Sequence, residues 1–102
     1  GYNNLINDFK SIDIMKNFEC PIIFDATHSV QEPGGLGFKS GGNREFVPSL
    51  SKAAVAIGVA GIFIETHDNP DNAPSDGPNM LNIKNLKSLI TRLIEIDNII
   101  KK

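Results

Sequence analysis

Pro21-Ile22-Ile23-Phe24-Asp25-Ala26-Thr27-His28 and Gly61-Ile62-Phe63-Ile64-Glu65 are two short apolar runs, each ending in a side chain that can bind a metal. A glycine-rich loop and a stretch with helical periodicity separate them. The order is strand–helix–strand, with polar groups at the carboxyl ends of both strands. In parallel α/β folds those ends form the face where ligands bind. We expect residues 22–27 to form one strand and residues 60–65 the other. The near-continuous apolar character of the first predicts burial on both faces, and a right-handed crossover makes the pair parallel.

Working outward, Asn4 to Phe18 reads as a helix: Leu5, Phe9, Ile12 and Met15 share one face, Ile6 widens it, and Pro21 bars its continuation. Gln31 to Asn43 holds five glycines and Pro33, which predicts a loop, and a loop of that length on such a scaffold is often functional. Glu45 to Gly58 predicts a second helix with Phe46, Leu50, Ala53, Ala54 and Ile57 inward. Pro48 falls near its first turn and Gly58 at its end. Thr66 to Met80, with Pro70, Pro74 and Pro78, predicts a second long loop. Asn82 suits an N-cap. The last helix should run from Ile83 to Ile100, with Leu86, Ile90, Leu93 and Asp97 on one line and Leu89, Ile94 and Ile100 broadening its apolar face. Two strands do not make a stable sheet alone, so neighbours are expected from elsewhere.

With 102 residues, 40% hydrophobic and 22% charged, the chain has the make-up of one small globular domain. A formal net charge of −2 without a basic stripe gives no reason to expect nucleic acid or an anionic membrane as partner. No apolar run approaches the roughly 20 residues that span a bilayer, and the polar start Gly1-Tyr2-Asn3-Asn4 is unlike a secretory signal. The chain begins at Gly1 rather than at a methionine, from which a fragment is expected. The single Cys20 cannot form an internal disulfide, which fits a reducing cytoplasm. It precedes the first strand, at the end remote from the presumed site, and reads as structural.

His28, Glu65 and Asp76 form a possible ligand set. His28 and Glu65 top adjacent strands, and Asp76 arrives from the following loop. Imidazole and carboxylate together suit zinc, iron or manganese better than calcium. On spacing alone, a lone histidine at a strand end is more often a hydrogen-bonded structural group. Asp25, inside the first strand, needs a partner. It either orients a neighbouring ligand or base or forms an ion pair within the sheet. His67 reads as a loop residue near the site. Gly34-Gly35, Lys39-Ser40 and Gly41-Gly42 supply amides, a hydroxyl and a cation of the kind that hold phosphate, though not in P-loop spacing. A mobile lid over a phosphorylated substrate and a set of ordinary turns both fit that composition.

The runs Gly1-Tyr2-Asn3-Asn4-Leu5, Phe24-Asp25-Ala26-Thr27-His28-Ser29-Val30-Gln31, Pro33-Gly34-Gly35-Leu36-Gly37, Lys39-Ser40-Gly41-Gly42 and Ile64-Glu65-Thr66-His67 resemble the 3-deoxy-D-manno-octulosonate 8-phosphate synthases, also called 2-dehydro-3-deoxyphosphooctonate aldolases. The resemblance covers essentially the whole chain, with the motifs in family order. The related synthases that open the shikimate pathway fit less well across the glycine-rich loop.

The resemblance implies an α/β fold: the carboxyl-terminal portion of a TIM (β/α)8 barrel, with about two parallel strands and three helices. A whole barrel takes roughly 250 residues, so residues 1–102 would be an incomplete domain running from the sixth helix to the eighth. The implied reaction joins phosphoenolpyruvate to D-arabinose 5-phosphate with water, giving 3-deoxy-D-manno-octulosonate 8-phosphate and phosphate for lipopolysaccharide. The implied enzyme is a cytoplasmic homotetramer. His28, Glu65 and Asp76 match three of the four ligands of the metal-dependent members, whose fourth is a cysteine nearer the amino terminus that Cys20 does not match. Metal-independent members keep these three residues. Ser75 and the Pro33-Gly34-Gly35-Leu36-Gly37 run resemble the metal-dependent group, which implies a divalent transition metal. The same three residues would be catalytic, and Gln31, Ser40 and His28 would bind substrate, the first two on the arabinose 5-phosphate side. The chain by itself is expected to be inactive. Alternatives are a non-catalytic fragment that needs a partner segment, a related phosphoenolpyruvate-dependent sugar-acid synthase, or an unrelated metal hydrolase.

Overall fold

The computed structural model describes residues 8–32, 41–42, 44–73 and 77–101. In chain order these form α1 (Lys10–Lys16), β1 (Ile23–Asp25), β2 (Gln31–Glu32), β3 (Gly41–Gly42), α2 (Val47–Ile57), β4 (Gly61–Phe63), β5 (Thr66–His67), β6 (Leu81–Asn82) and α3 (Leu86–Ile100). Single 3-10 turns occupy His28–Val30, Arg44–Phe46, Pro70–Asn72, Gly77–Asn79 and Ile83–Asn85.

The expected central unit is present. β1 and β4 are parallel, with Ile23 opposite Gly61, Phe24 opposite Ile62 and Asp25 opposite Phe63. α2 connects them and packs on α3. Both strands are shorter than their apolar runs, and the reason is local. The Asp25 carboxylate accepts the His28 backbone N–H at 2.9 Å, and the Ser29 hydroxyl donates to the Asp25 carbonyl at 2.5 Å. These side-chain bonds compete with the ladder and turn the chain into the His28–Val30 helix. On the other strand, the Glu65 N–H goes to the Thr27 hydroxyl at 2.7 Å instead of to a backbone carbonyl.

The expectation that the first strand is buried on both faces is not met. Ile23 is 59% exposed and Phe63 46%, because among the described residues each of these strands has a single neighbour. The core holds Ile12, Ala26, Val30, Val47, Ala54, Val55, Val59, Leu81, Leu89 and Leu93.

The helices follow the predicted order with shifted faces and ends. α1 starts at Lys10, where the Asp8 carboxylate accepts the Lys10 N–H at 3.1 Å and the Asp8 carbonyl accepts the Ser11 hydroxyl at 2.6 Å. It stops at Lys16, ahead of the predicted end. α2 buries Val47, Ser51, Ala54 and Val55, while Phe46 lies outside the helix and half exposed. α3 buries Leu89 and Leu93 and leaves Ile90, Ile94 and Ile100 exposed. On α3 the buried Leu89 and Leu93 lie on the predicted apolar face. Gly58 ends α2 as predicted. At φ 106° its N–H reaches the Ala54 and Val55 carbonyls, a conformation glycine adopts without a Cβ penalty. Asn82 caps as predicted, accepting the Lys84 N–H at 2.9 Å, and it opens the Ile83–Asn85 turn that leads into α3.

Neither long loop is featureless. The ends of the glycine-rich segment pair as an antiparallel ribbon, Gln31 with Gly42 and Glu32 with Gly41. After β4, the chain forms β5, which pairs in parallel with β6.

Candidate active site at the carboxyl ends of β1 and β4

The carboxyl end of β1 turns directly into the helix that begins at His28, and β4 leads two residues later to Glu65. His28 Nε2 lies 3.6 Å from Glu65 Oε1, and His28 Nδ1 lies 2.8 Å from Asp25 Oδ2. Asp25, His28 and Glu65 therefore run as one line across the strand ends, all partly exposed. The Phe63 ring backs the imidazole, with centroids 6.2 Å apart and planes 29° from parallel.

Glu65 is held by its backbone on both sides. Its N–H bonds to the Thr27 hydroxyl, and its carbonyl accepts the Leu81 N–H at 3.1 Å. Thr27 is fully buried. Nothing in the sequence marked Thr27 as more than a strand residue. Its only signal is a hydroxyl inside an apolar run, a group that must find a partner when buried.

Of the sequence-predicted residues, the fold brings His28 and Glu65 together. Gln31 follows within the same turn, its N–H bonded to the His28 carbonyl. Asp76 and Ser40 lie outside the described residues, as do Tyr2, Asn3, Asn4, Lys39, Ser75 and the Pro33-Gly34-Gly35-Leu36-Gly37 run. The turn that follows Asp76 is placed, and it lies against β3. Gly77 packs so closely that a Cβ there would sit 2.4 Å from the Pro70 carbonyl oxygen. Arg44 pairs with Asp71 at 2.5 Å, joining the base of the ribbon to the loop after β5. Asn79 is buried, and its amide has no hydrogen-bond partner among the described residues.

His67 is not a plain loop residue: it lies in β5, and its Nδ1 accepts the Asn69 N–H at 2.8 Å. Cys20 is exposed and takes no part in the core.

The donor set suits a transition metal. Two ligand atoms each about 2.1 Å from a tetrahedral zinc lie about 3.4 Å apart, close to the His28–Glu65 separation. A carboxylate on the far ring nitrogen of a histidine is the usual support of such a ligand. Among the described residues no group of three His, Cys, Asp or Glu side chains could hold such an ion.

The family model described as the DAHP synthetase I family matches residues 1–102. The chain belongs to the DAHP synthetase I family. Among its relatives in this family, the 2-dehydro-3-deoxyphosphooctonate aldolase of Bartonella tribocorum is 61% identical over 102 residues, covering 100% of this chain and 37% of that protein. The protein of the same name from Caulobacter vibrioides (strain NA1000 / CB15N) is 58% identical over 101 residues, or 99% of this chain and 35% of that protein. The chain thus spans little more than a third of the length of these relatives. Among solved structures, phospho-2-dehydro-3-deoxyheptonate aldolase of Thermotoga maritima superposes with a TM-score of 0.78 at 27% identity, covering 97% of this chain and 26% of that one. The fold is accordingly part of an α/β barrel, and no helix among the described residues is long and apolar enough to cross a membrane.

Proposed function

We propose that residues 1–102 work as the carboxyl-terminal part of a TIM barrel, from its sixth helix to its eighth. The complete enzyme condenses phosphoenolpyruvate with D-arabinose 5-phosphate and water to 3-deoxy-D-manno-octulosonate 8-phosphate and phosphate. The observation that carries this reading is the identity of 58–61%, along the whole chain, to proteins named for an eight-carbon product. Identity to the seven-carbon enzyme of the solved structure is 27%. Three carbons come from phosphoenolpyruvate, so an eight-carbon product requires a five-carbon sugar and a seven-carbon product a four-carbon one.

In this reading His28, Glu65 and Asp76 hold a divalent transition ion (zinc, iron or manganese), with a cysteine from elsewhere in the barrel as fourth ligand. When bound, the ion supplies Lewis-acid polarisation of an oxygen at the reacting centre. The residues of this chain position what reacts. The imidazole is fixed by Asp25 and Phe63, and the Glu65 backbone is pinned between Thr27 and Leu81. Gln31 and Ser40 bind the sugar phosphate, and closure of the glycine-rich loop over the sugar excludes bulk water from the condensation. From the same family likeness we infer a homotetramer in the cytoplasm.

The test is phosphate release from phosphoenolpyruvate by the full-length protein. It should depend on arabinose 5-phosphate and fail with a four-carbon aldose phosphate. Chelation should abolish it, and re-addition of zinc, iron or manganese should restore it. Turnover with the four-carbon sugar alone would overturn the substrate assignment. Full activity after chelation would overturn the metal.

A further inference from the structure

We propose that Asp25 is a positioning residue that fixes the tautomer of His28, holding the ring proton on Nδ1 so that the Nε2 lone pair faces Glu65. The Asp25 carboxylate has two oxygens in use toward one residue. Oδ1 accepts the His28 backbone N–H at 2.9 Å, and Oδ2 lies 2.8 Å from His28 Nδ1. An ionised carboxylate only accepts, and a neutral imidazole carries a single N–H. The proton therefore belongs on Nδ1, the nitrogen that meets the carboxylate at hydrogen-bond distance, while Nε2 is the nitrogen turned toward Glu65, 3.6 Å from its Oε1.

The clamp is itself braced. The Asp25 carbonyl accepts the Ser29 hydroxyl, Asp25 is in register with Phe63, and the next residue's N–H bonds to the Phe63 carbonyl at 3.0 Å. Phe63 then lies against the imidazole face.

Asp25→Asn separates the tautomer from the packing. The amide has nearly the same shape but one oxygen. The His28 backbone N–H is fixed by the 3-10 turn and keeps that oxygen. The NH2 group then faces Nδ1 and donates to it, which moves the ring proton to Nε2. The consequence for metal binding rests on the function proposed above, whereas the tautomer does not.

The experiment uses the full-length, metal-free protein at a pH where the ring is neutral. Nitrogen-15 NMR reports which ring nitrogen of His28 is protonated, and titration with zinc ion alone gives the affinity. The expected result is Nδ1–H at His28 in the unmodified protein. In Asp25→Asn, Nε2–H is expected at His28, with zinc affinity about 10–100-fold lower. Finding Nε2–H at His28 in the unmodified protein overturns the proposal, and this measurement decides even if the variant does not fold. A variant that keeps Nδ1–H also overturns it, as does one that binds zinc as tightly as a zinc-binding unmodified protein. If the unmodified protein shows the expected tautomer but binds no zinc, the tautomer assignment stands and the metal reading falls.

Discussion

Replacing Thr27 by valine tests whether one buried hydroxyl holds Glu65 in place. The two side chains are nearly isosteric, so the perturbation is the loss of an acceptor for the Glu65 N–H, which the hydroxyl meets at 2.7 Å from a fully buried position. Leaving such a donor unpaired costs about 1–3 kcal/mol. Thr27→Ser is the control: it keeps the acceptor and loses one buried methyl, worth about 0.8 kcal/mol. The Glu65 carbonyl stays tied to the Leu81 N–H in both variants, so the damage should remain local. Hydrogen exchange in the full-length protein should show the Glu65 amide opening about 5–150-fold more readily in Thr27→Val, the same free energy expressed as a ratio, with a much smaller change in Thr27→Ser. Zinc affinity should fall in the same order, because the carboxylate loses its fixed distance from His28. Undiminished protection of the Glu65 amide in Thr27→Val, or a larger loss in Thr27→Ser, would refute the reasoning.

In the complete enzyme, Gln31→Ala and Ser40→Ala should each raise the KM for arabinose 5-phosphate about tenfold or more, since a hydrogen bond to a charged group contributes roughly 1.5–3 kcal/mol. Initial-rate kinetics showing equal effects on phosphoenolpyruvate would remove both from the sugar side. Gly77→Ala should push the turn away from Pro70, because its Cβ would stand 2.4 Å from a backbone oxygen. A loss of about 1–3 kcal/mol is expected, together with reduced metal content through the neighbouring Asp76. Unchanged melting and metal analysis would contradict that. Expressed by itself, the 102-residue chain should release no phosphate from the two substrates, since Ile23 and Phe63 stand exposed on strands with one neighbour each. Robust turnover would show that the chain is self-sufficient.

Much of the architecture was legible in the chain because it rests on short-range chemistry. Apolar runs of strand length, a glycine where α2 must turn, an asparagine before α3 and a glycine-rich connection are all set by neighbours in sequence. So was the placement of His28 and Glu65, because a residue at the carboxyl end of a parallel strand is on the binding face wherever the sheet goes. The DAHP synthetase I membership rests on the same legible runs.

Periodicity left open what depends on distant partners. It predicted Phe46 inward and Ile90 on the apolar face with Leu89 and Leu93; packing buried Val47, Leu89 and Leu93 and left Phe46 and Ile90 exposed. It ran the strands through Thr27 and Glu65, where the bonds of Asp25 with His28 and Ser29 and the hydrogen bond between Glu65 and Thr27 cut them short. It left Asp25 between an orienting role and an ion pair within the sheet, and only the three-dimensional course of the chain set its carboxylate against the ring and the backbone of one histidine. The sequence determined which groups stand at the strand ends. The tertiary structure decided which of them touch, because register and hydrogen bonding between residues nearly forty positions apart are not encoded in either segment alone.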